Sequence, residues 1–352
     1  MRALHNRING RILKEKIKED PTPRTTISFY QYYQLKNPHI FRDHLYAAFQ
    51  DIGILGRIYV AFEGINAQIS VPDHQMENFK CILESITFLK GVRLNFAIED
   101  DGISFFKLAI KVRNKIVADG LNDESFDVTN KGIHLKAEDF NHLANQPDTI
   151  IVDMRNHYEC EVGYFENAII PDVETFREAL PYVENLLEDK KEAHIIMYCT
   201  GGIRCEKASA YYKHKGFKNV YQVEGGIIEY SRRVNELGLE NKFLGKNFVF
   251  DERLGERISS VITAQCHQCG NPCDVHQNCA NESCHILFIQ CSECASLYEN
   301  CCSLKCRDFN RLPEDLKIQY RKKVQFNGTK FGKGRYRPES KEDPLPKLDQ
   351  IV

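Results

Sequence analysis

Short apolar runs and amphipathic segments alternate along the chain, and their periods predict most of its elements. Residues 27–30 form an apolar, aromatic run of strand type, and 39–51 place Phe41, Leu45, Ala48 and Phe49 at helical spacing behind Pro38. Two further strand patterns, 56–62 and 65–71, flank Glu63-Gly64 as a hairpin. A helix over 76–89 and a strand over 93–98 complete the order β-α-β-β-α-β, with 105–112 extending the sheet. That order predicts a ferredoxin-like α+β domain over 25–120, preceded by a polar arm over 1–24. Its expected uses are to bind RNA or to pack beside a catalytic unit, because the fold alone fixes no function.

Past a linker over 121–134, rich in Asn, Asp, Ser and Gly, the pattern changes. Residues 135–240 read as helix 137–144, strand 149–153, helix 174–187, strand 194–198, a helix running from Cys205 to a stop at Gly216, and strand 220–223. Glu224-Gly225-Gly226 then opens a last helix. Strands alternating with helices predict an α/β unit, a parallel sheet with helices on both faces. A strand over 243–250 leads into a cysteine-rich module over 241–310, and 311–352 is a basic tail.

The 352 residues suffice for two or three domains. Lys and Arg number 47 against 49 Asp and Glu, a net charge of −2 that hides locally basic segments and so identifies no partner. The absence of a long apolar run or secretory signal leads to the expectation of a cytoplasmic protein with no membrane contact. Fourteen cysteines would suggest disulfides in a secreted chain, but ten fall between Cys266 and Cys306 with Cys-x-x-Cys pairs, which points to metal instead.

The chemistry concentrates in 193–212. A buried strand ends at Cys199, turns through Thr200-Gly201-Gly202-Ile203 and enters a helix at Arg204-Cys205. A sulfur there lies near unpaired helix N–H groups and the positive end of the dipole, which stabilise a thiolate. Gly201 and Gly202 let the backbone curl around one centre, and Arg204 adds fixed positive charge. A plain buried cysteine would need neither the glycines nor the arginine.

This loop resembles the active-site loop of rhodanese domains, with four residues between Cys199 and Arg204 where tyrosine phosphatases have five. Ile151-Val152-Asp153-Met154-Arg155 is similar to the rhodanese strand ending in Asp-x-Arg. The segment 161–169 is similar to the one that usually reads Gly-His-x-x-Gly-Ala, with Tyr164 in place of His and Asn167 in place of Gly. The resemblance implies that Cys199 is the nucleophile and that Arg204 with the 200–204 backbone stabilises an anionic sulfur group. Asp153 and Arg155 are expected to brace the loop through a buried ion pair. Cys205 is placed to resolve an oxidised Cys199 as a disulfide, whereas Cys160 and Cys81 read as inert fillers. His157 and Glu159 could join a distant His in a non-haem iron site, but nothing marks the third ligand.

In the cysteine-rich module, Cys266-x2-Cys269 and Cys291-x2-Cys294 are separated by 21 residues, the spacing of a zinc ribbon. Cys279, Cys284, Cys302 and Cys306 are the expected second site, with Cys273, Cys301, His276 and His285 as rivals. An iron–sulfur cluster is the competing reading, although the compact ferredoxin spacing is absent. Either metal would be structural, since the segment is poor in large apolar residues. In the tail, Arg321, Lys322, Lys323, Arg335 and Arg337 alternate with aromatics, a composition suited to RNA.

Nearly the whole chain, from the N-terminal α/β unit through the tail, resembles the bacterial rhodanese-domain tRNA uridine(34) hydroxylases. The similarity is carried by Val152-Asp153-Met154-Arg155-Asn156-His157-Tyr158-Glu159, by 197–207 and by Cys266-His267-Gln268-Cys269-Gly270. It implies a tRNA substrate, molecular oxygen as co-substrate, 5-hydroxyuridine as product and an essential Cys199. One mechanism consistent with it is a cysteine oxygen or persulfide adduct attacked by C5 of a flipped-out uridine. No dinucleotide fingerprint is present, so no nucleotide cofactor is expected. A sulfurtransferase using a Cys199 persulfide, or an RNA-binding scaffold without catalysis, are the alternatives. The oligomeric state is left open.

Overall fold

The computed structural model describes residues 4, 6, 8–100, 102–122, 125–321, 324–326 and 336. A first helix, α1 (Gly10–Glu19), precedes β1 (Arg24–Tyr32), α2 (Pro38–Asp51), β2 (Leu55–Ala61), β3 (Gly64–Pro72), α3 (Met76–Ser85), β4 (Asn95–Phe96) and β5 (Leu108–Val112). The sheet order is β4-β1-β3-β2-β5, antiparallel except where β5 joins β2. This is the expected ferredoxin-like arrangement with one added edge strand. Period-two alternation turns Ile27, Phe29, Ile58, Val60, Ile65 and Ile69 toward α2 and α3, where they join Leu45, Phe49, Phe79 and Leu83 in one core. The intervening residues populate the opposite face. Asn37 starts α2 by accepting N–H bonds from His39 and Ile40 at 3.1 Å, ahead of Pro38. Gly64 is required at the hairpin, where a Cβ would lie 2.0 Å from the Gln31 carbonyl oxygen. The expected helix over 76–89 ends early, at Ser85, because the β-branched pair Ile86-Thr87 begins with extended backbone (φ −96°, ψ 105°).

The second unit comprises β6 (Ile133–Leu135), α4 (Ala137–Ala144), β7 (Thr149–Asp153), α5 (His157–Cys160), β8 (Gly163–Phe165), α6 (Phe176–Leu186), β9 (His194–Tyr198), α7 (Ile203–His214), β10 (Asn219–Val223) and α8 (Gly226–Leu237). The parallel sheet runs β6-β10-β9-β7. Phe176, Leu180 and Val183 of α6 and Ala208 and Tyr212 of α7 cover one face. Phe140 of α4 and Ile227, Tyr230 and Val234 of α8 cover the other. The expected linker therefore ends before 133: Ile133–Leu135 is an edge strand paired to Tyr221–Val223. Three residues are too few to show a period, so the strand was hidden in the polar stretch.

The third unit begins with β11 (Phe243–Asn247), which pairs back onto β8 and carries β12 (Glu256–Arg257) on its other side. Phe165 sits at this junction, edge-on to Tyr198, Tyr230 and Phe243 at 4.7–5.2 Å. The hairpin β13 (His276–Asn278) and β14 (Leu287–Ile289), then α9 (Ser292–Tyr298), α10 (Leu304–Asn310) and α11 (Glu314–Arg321), complete the described chain.

Candidate active site and cysteine clusters

Strand β9 is central in its sheet and buried, so its end delivers Cys199 to the carboxyl edge, where open α/β sheets present their sites. The chain then turns at Gly202 (φ 95°) into α7. The Gly202 N–H donates to the Cys199 sulfur at 3.2 Å. On the outer side, the N–H groups of Ile227 and Ile228 hold the carbonyls of Cys199 and Thr200 at 3.0 and 3.2 Å. That approach needs Gly226, where a Cβ would fall 2.4 Å from the Cys199 carbonyl oxygen. Burial would push the Cys199 thiol up. It is outweighed by a hydrogen bond from the Cys205 thiol, the charge of Arg204 and the backbone N–H groups of Arg204 and Cys205, which bring Cys199 down to about 6. Cys205 moves the other way, raised by burial and by its bond to Cys199.

Arg204 is held by Glu159, which the sequence offered only as a possible iron ligand. Its guanidinium donates to both oxygens of Glu159 at 2.6 and 2.8 Å, with the Glu159 carboxylate fully buried. The same carboxylate caps α5 through the Asn156 N–H at 2.9 Å and accepts from the Thr200 hydroxyl at 3.4 Å. With both its oxygens committed, Glu159 is not available as an iron ligand, and His157 faces Glu161 instead. Asp153 and Arg155 form the expected buried pair at 2.6 Å. Arg155, however, ties down the carbonyls of Glu159 and Gly163, at 3.3 and 2.6 Å. Its brace on the Cys199 loop is thus indirect, through the segment that carries Glu159. Cys160 is buried, and burial raises its thiol. Cys81 is exposed on α3, so it does not fill the core.

The N-terminal unit lies directly over this loop. The Asn95 amide donates to the Gly201 carbonyl at 3.4 Å, the Tyr30 hydroxyl to Glu206 at 3.0 Å and the Tyr32 hydroxyl to the Ile203 carbonyl at 3.3 Å. Lys207 reaches Glu63 at 2.6 Å and Asp119 at 3.5 Å. Glu206 also binds Lys131 and His134, at 2.6 and 3.0 Å. Charged side chains on a helix usually face solvent, yet Glu206 and Lys207 of α7 are buried at 5% and 2% exposure. The N-terminal domain supplies Tyr30 to Glu206 and Glu63 to Lys207, and Lys131 and His134 complete the surroundings of Glu206. Between the loop, the N-terminal sheet and 248–254 runs a cleft of about 970 Å3, with Cys199, Thr200, Gly201, Ile203 and Arg204 in its lining.

The comparisons with known proteins agree with this architecture. Residues 24–116 match the UPF0176 acylphosphatase like domain, 136–233 the rhodanese-like domain and 244–307 the Rhodanase C-terminal family. The tRNA uridine(34) hydroxylase of Photorhabdus laumondii is 57% identical over 339 residues, covering 96% of both chains. That of Yersinia pestis is 56% identical over 332 residues, covering 94% of this chain and 93% of its own. This chain belongs to the tRNA uridine(34) hydroxylase family. Among solved structures, a rhodanese-like domain protein from Staphylococcus aureus is 24% identical with a TM-score of 0.24, covering 28% of this chain and 90% of its own.

In this member of the family the cysteine-rich module brings together two quartets, Cys266, Cys269, Cys291 and Cys294, and Cys279, Cys284, Cys302 and Cys306. The sulfurs of each set all lie within 4.8 Å of one another. Four thiolates about 2.3 Å from a tetrahedral ion would stand about 3.8 Å apart. The observed separations of 3.6 Å for Cys269–Cys291 and 3.7 Å for Cys284–Cys302 and Cys302–Cys306 fit that geometry. Backbone N–H groups of Cys291 and Cys302 point at the sulfurs of Cys266 and Cys279, both at 3.4 Å, as outer-shell support. The rivals Cys273, Cys301, His276 and His285 fall outside both sets. Of the basic tail, Arg321 binds Ser283 and Glu314 at 3.1 Å. Lys322, Lys323, Arg335 and Arg337 lie outside the described residues. Tyr336 stacks on His267 at 4.7 Å and donates to the Cys302 carbonyl at 3.2 Å, against the second quartet.

Proposed function

We propose that this chain hydroxylates C5 of the wobble uridine of tRNA to 5-hydroxyuridine, with Cys199 as the reacting sulfur. The observation that carries the reading is the 57% identity, over 96% of the chain, to a protein named tRNA uridine(34) hydroxylase. The site supports it. Cys199 is a thiolate at neutral pH, Arg204 and the loop N–H groups favour an anionic sulfur species, and the cleft reaches this loop. Molecular oxygen is the co-substrate: converting C5–H to C5–OH with it takes two electrons and two protons from a dithiol reductant, which closes to a disulfide, and releases water. A base taken out of the anticodon stack is what would meet the sulfur. Asp153 and Arg155 position Glu159, Glu159 positions Arg204, and Cys205 supplies a proton donor beside Cys199.

The two quartets hold structural zinc, one ion each, and build a module rather than a second reaction centre. Among the described residues no helix is long and apolar enough to cross a membrane; a tRNA substrate supports a cytoplasmic location. The test is mass spectrometry of tRNA nucleosides from a strain lacking the gene, with and without the chain restored. Recovery of 5-hydroxyuridine is expected. No recovery, together with transfer of sulfane sulfur from the purified protein in the absence of tRNA, would replace this reading with a sulfurtransferase.

A further inference from the structure

The open face of the N-terminal sheet forms a wall of the cleft that contains Cys199. Cross-strand register draws one row along it, from Tyr30 to Asn66, Tyr59 and Lys111. Tyr30 is at the Cys199 loop, since its hydroxyl binds Glu206 and a Cβ on Gly202 would lie 3.0 Å from it. Three strand spacings of about 4.8 Å put Lys111 roughly 14 Å along the sheet from Tyr30. Arg57, Lys111 and Arg113 are exposed there, and the Arg113 guanidinium lies over the Tyr59 ring at 5.6 Å. Among the described residues no carboxylate forms an ion pair with these three cations. Each acid of the facing wall has a cation beside it, Arg253 for both Asp251 and Glu256 and Lys14 for Glu252, which leaves that wall only one net negative charge. The sheet wall thus carries three cations without acidic partners, with the Tyr59 ring and the Asn66 and Gln68 amides lying along it toward the reacting sulfur.

We propose that this sheet face is the platform for the single-stranded anticodon loop. Arg57, Lys111 and Arg113 take backbone phosphates, Tyr59 stacks on a base, and the strand runs along the row toward Tyr30 so that the wobble nucleotide reaches Cys199. The proposal rests on the tRNA reading above and adds the surface that reads the substrate. A cationic sheet face with a half-buried ring lining the cleft suits unpaired RNA better than a duplex, whose bases offer no free face for stacking.

The test is fluorescence anisotropy of the full chain with a synthetic anticodon stem-loop carrying uridine at the wobble position, titrated at several salt concentrations. Each of Arg57→Ala, Lys111→Ala and Arg113→Ala is expected to weaken binding several-fold and to lower the slope of log affinity against log salt by about 0.7. The triple variant should lose about 100-fold or more, and Tyr59→Ala about 10-fold, with Tyr59→Phe retaining affinity. Lys80→Ala, on the helix-covered side of the sheet, should bind as the unmodified chain does, and thermal unfolding checks that each variant is folded. Wild-type affinity and salt slope in a folded triple variant would overturn the platform. The tRNA reading fails separately, when the unmodified chain restores no 5-hydroxyuridine to the deletion strain.

Discussion

Cys199 and the eight cysteines of the two quartets differ in what offsets their negative charge. Cys199 sits alone at a strand end, its thiolate held by N–H groups, the Cys205 thiol and an arginine whose own charge is met by Glu159. The quartet sulfurs crowd to 3.6–3.7 Å, a spacing that four thiolates tolerate only around a cation. The first arrangement leaves a lone pair free to react. The second points its lone pairs at one centre, where a metal ion would tie the module together. One element is thus set up for two purposes in one chain, separated by whether its charge is offset by backbone N–H groups and an arginine or by the ion that each quartet has the geometry to hold.

Removing the ion should break the comparison on the quartet side and produce the largest effect. Structural zinc in small thiolate sites contributes on the order of 10 kcal/mol. Chelation, or Cys284→Ser, should therefore unfold the module, read as loss of bound metal and rapid proteolysis within 264–310, while Cys81, far from the module, remains as reactive as before. Protease resistance unchanged after the metal is gone would mean that the quartets are not what holds the module.

Next in size is Glu159→Gln. It leaves the Arg204 guanidinium buried without its counter-charge, which should cost about 3–5 kcal/mol and lower Tm. Denaturant unfolding checks this; an unchanged midpoint would show that Arg204 finds another partner. On the Cys199 side, the depressed thiol predicts a pH profile. The folded value of about 6 lies below the ordinary 9.0, so the thiolate is fully present at neutral pH and lost as pH falls through 6. Single-turnover rates should be flat near neutrality and fall about tenfold per unit once below that point. The same sign applies to stability: the contribution of this thiol is complete above the ordinary thiol range and gone below 6. The smallest effect is that of Cys205→Ala. It removes one donor and should move the inflection up by about one unit, worth about 1.4 kcal/mol. No movement would assign the depression to Arg204 and the backbone alone.

What was legible in the sequence was what is local in it. The Cys199 loop spans six residues, and each knuckle of the first quartet spans four, so spacing alone reveals them. The β-α-β-β-α-β order followed from period two and helical spacing. Long-range pairings were not legible. Glu159 meets Arg204 across 45 residues, and Tyr30 meets Glu206 across 176. Glu206 and Lys207 look like solvent-facing helix charges until a second domain buries them. Ile133–Leu135 was lost in a linker because three residues carry no period. The glycines at 225 and 226 announced a helix start, but their closer duty is to let that backbone touch the Cys199 loop.

The most direct measurement is 5-hydroxyuridine in tRNA from the deletion strain carrying Cys199→Ser, at a protein level and metal content matched to the unmodified chain. Loss of the modification from a folded, metal-loaded variant is the predicted result, since the quartets do not depend on this sulfur. Full 5-hydroxyuridine with Cys199→Ser would contradict the account, because the chemistry would then reside somewhere other than the loop around which the domains are arranged.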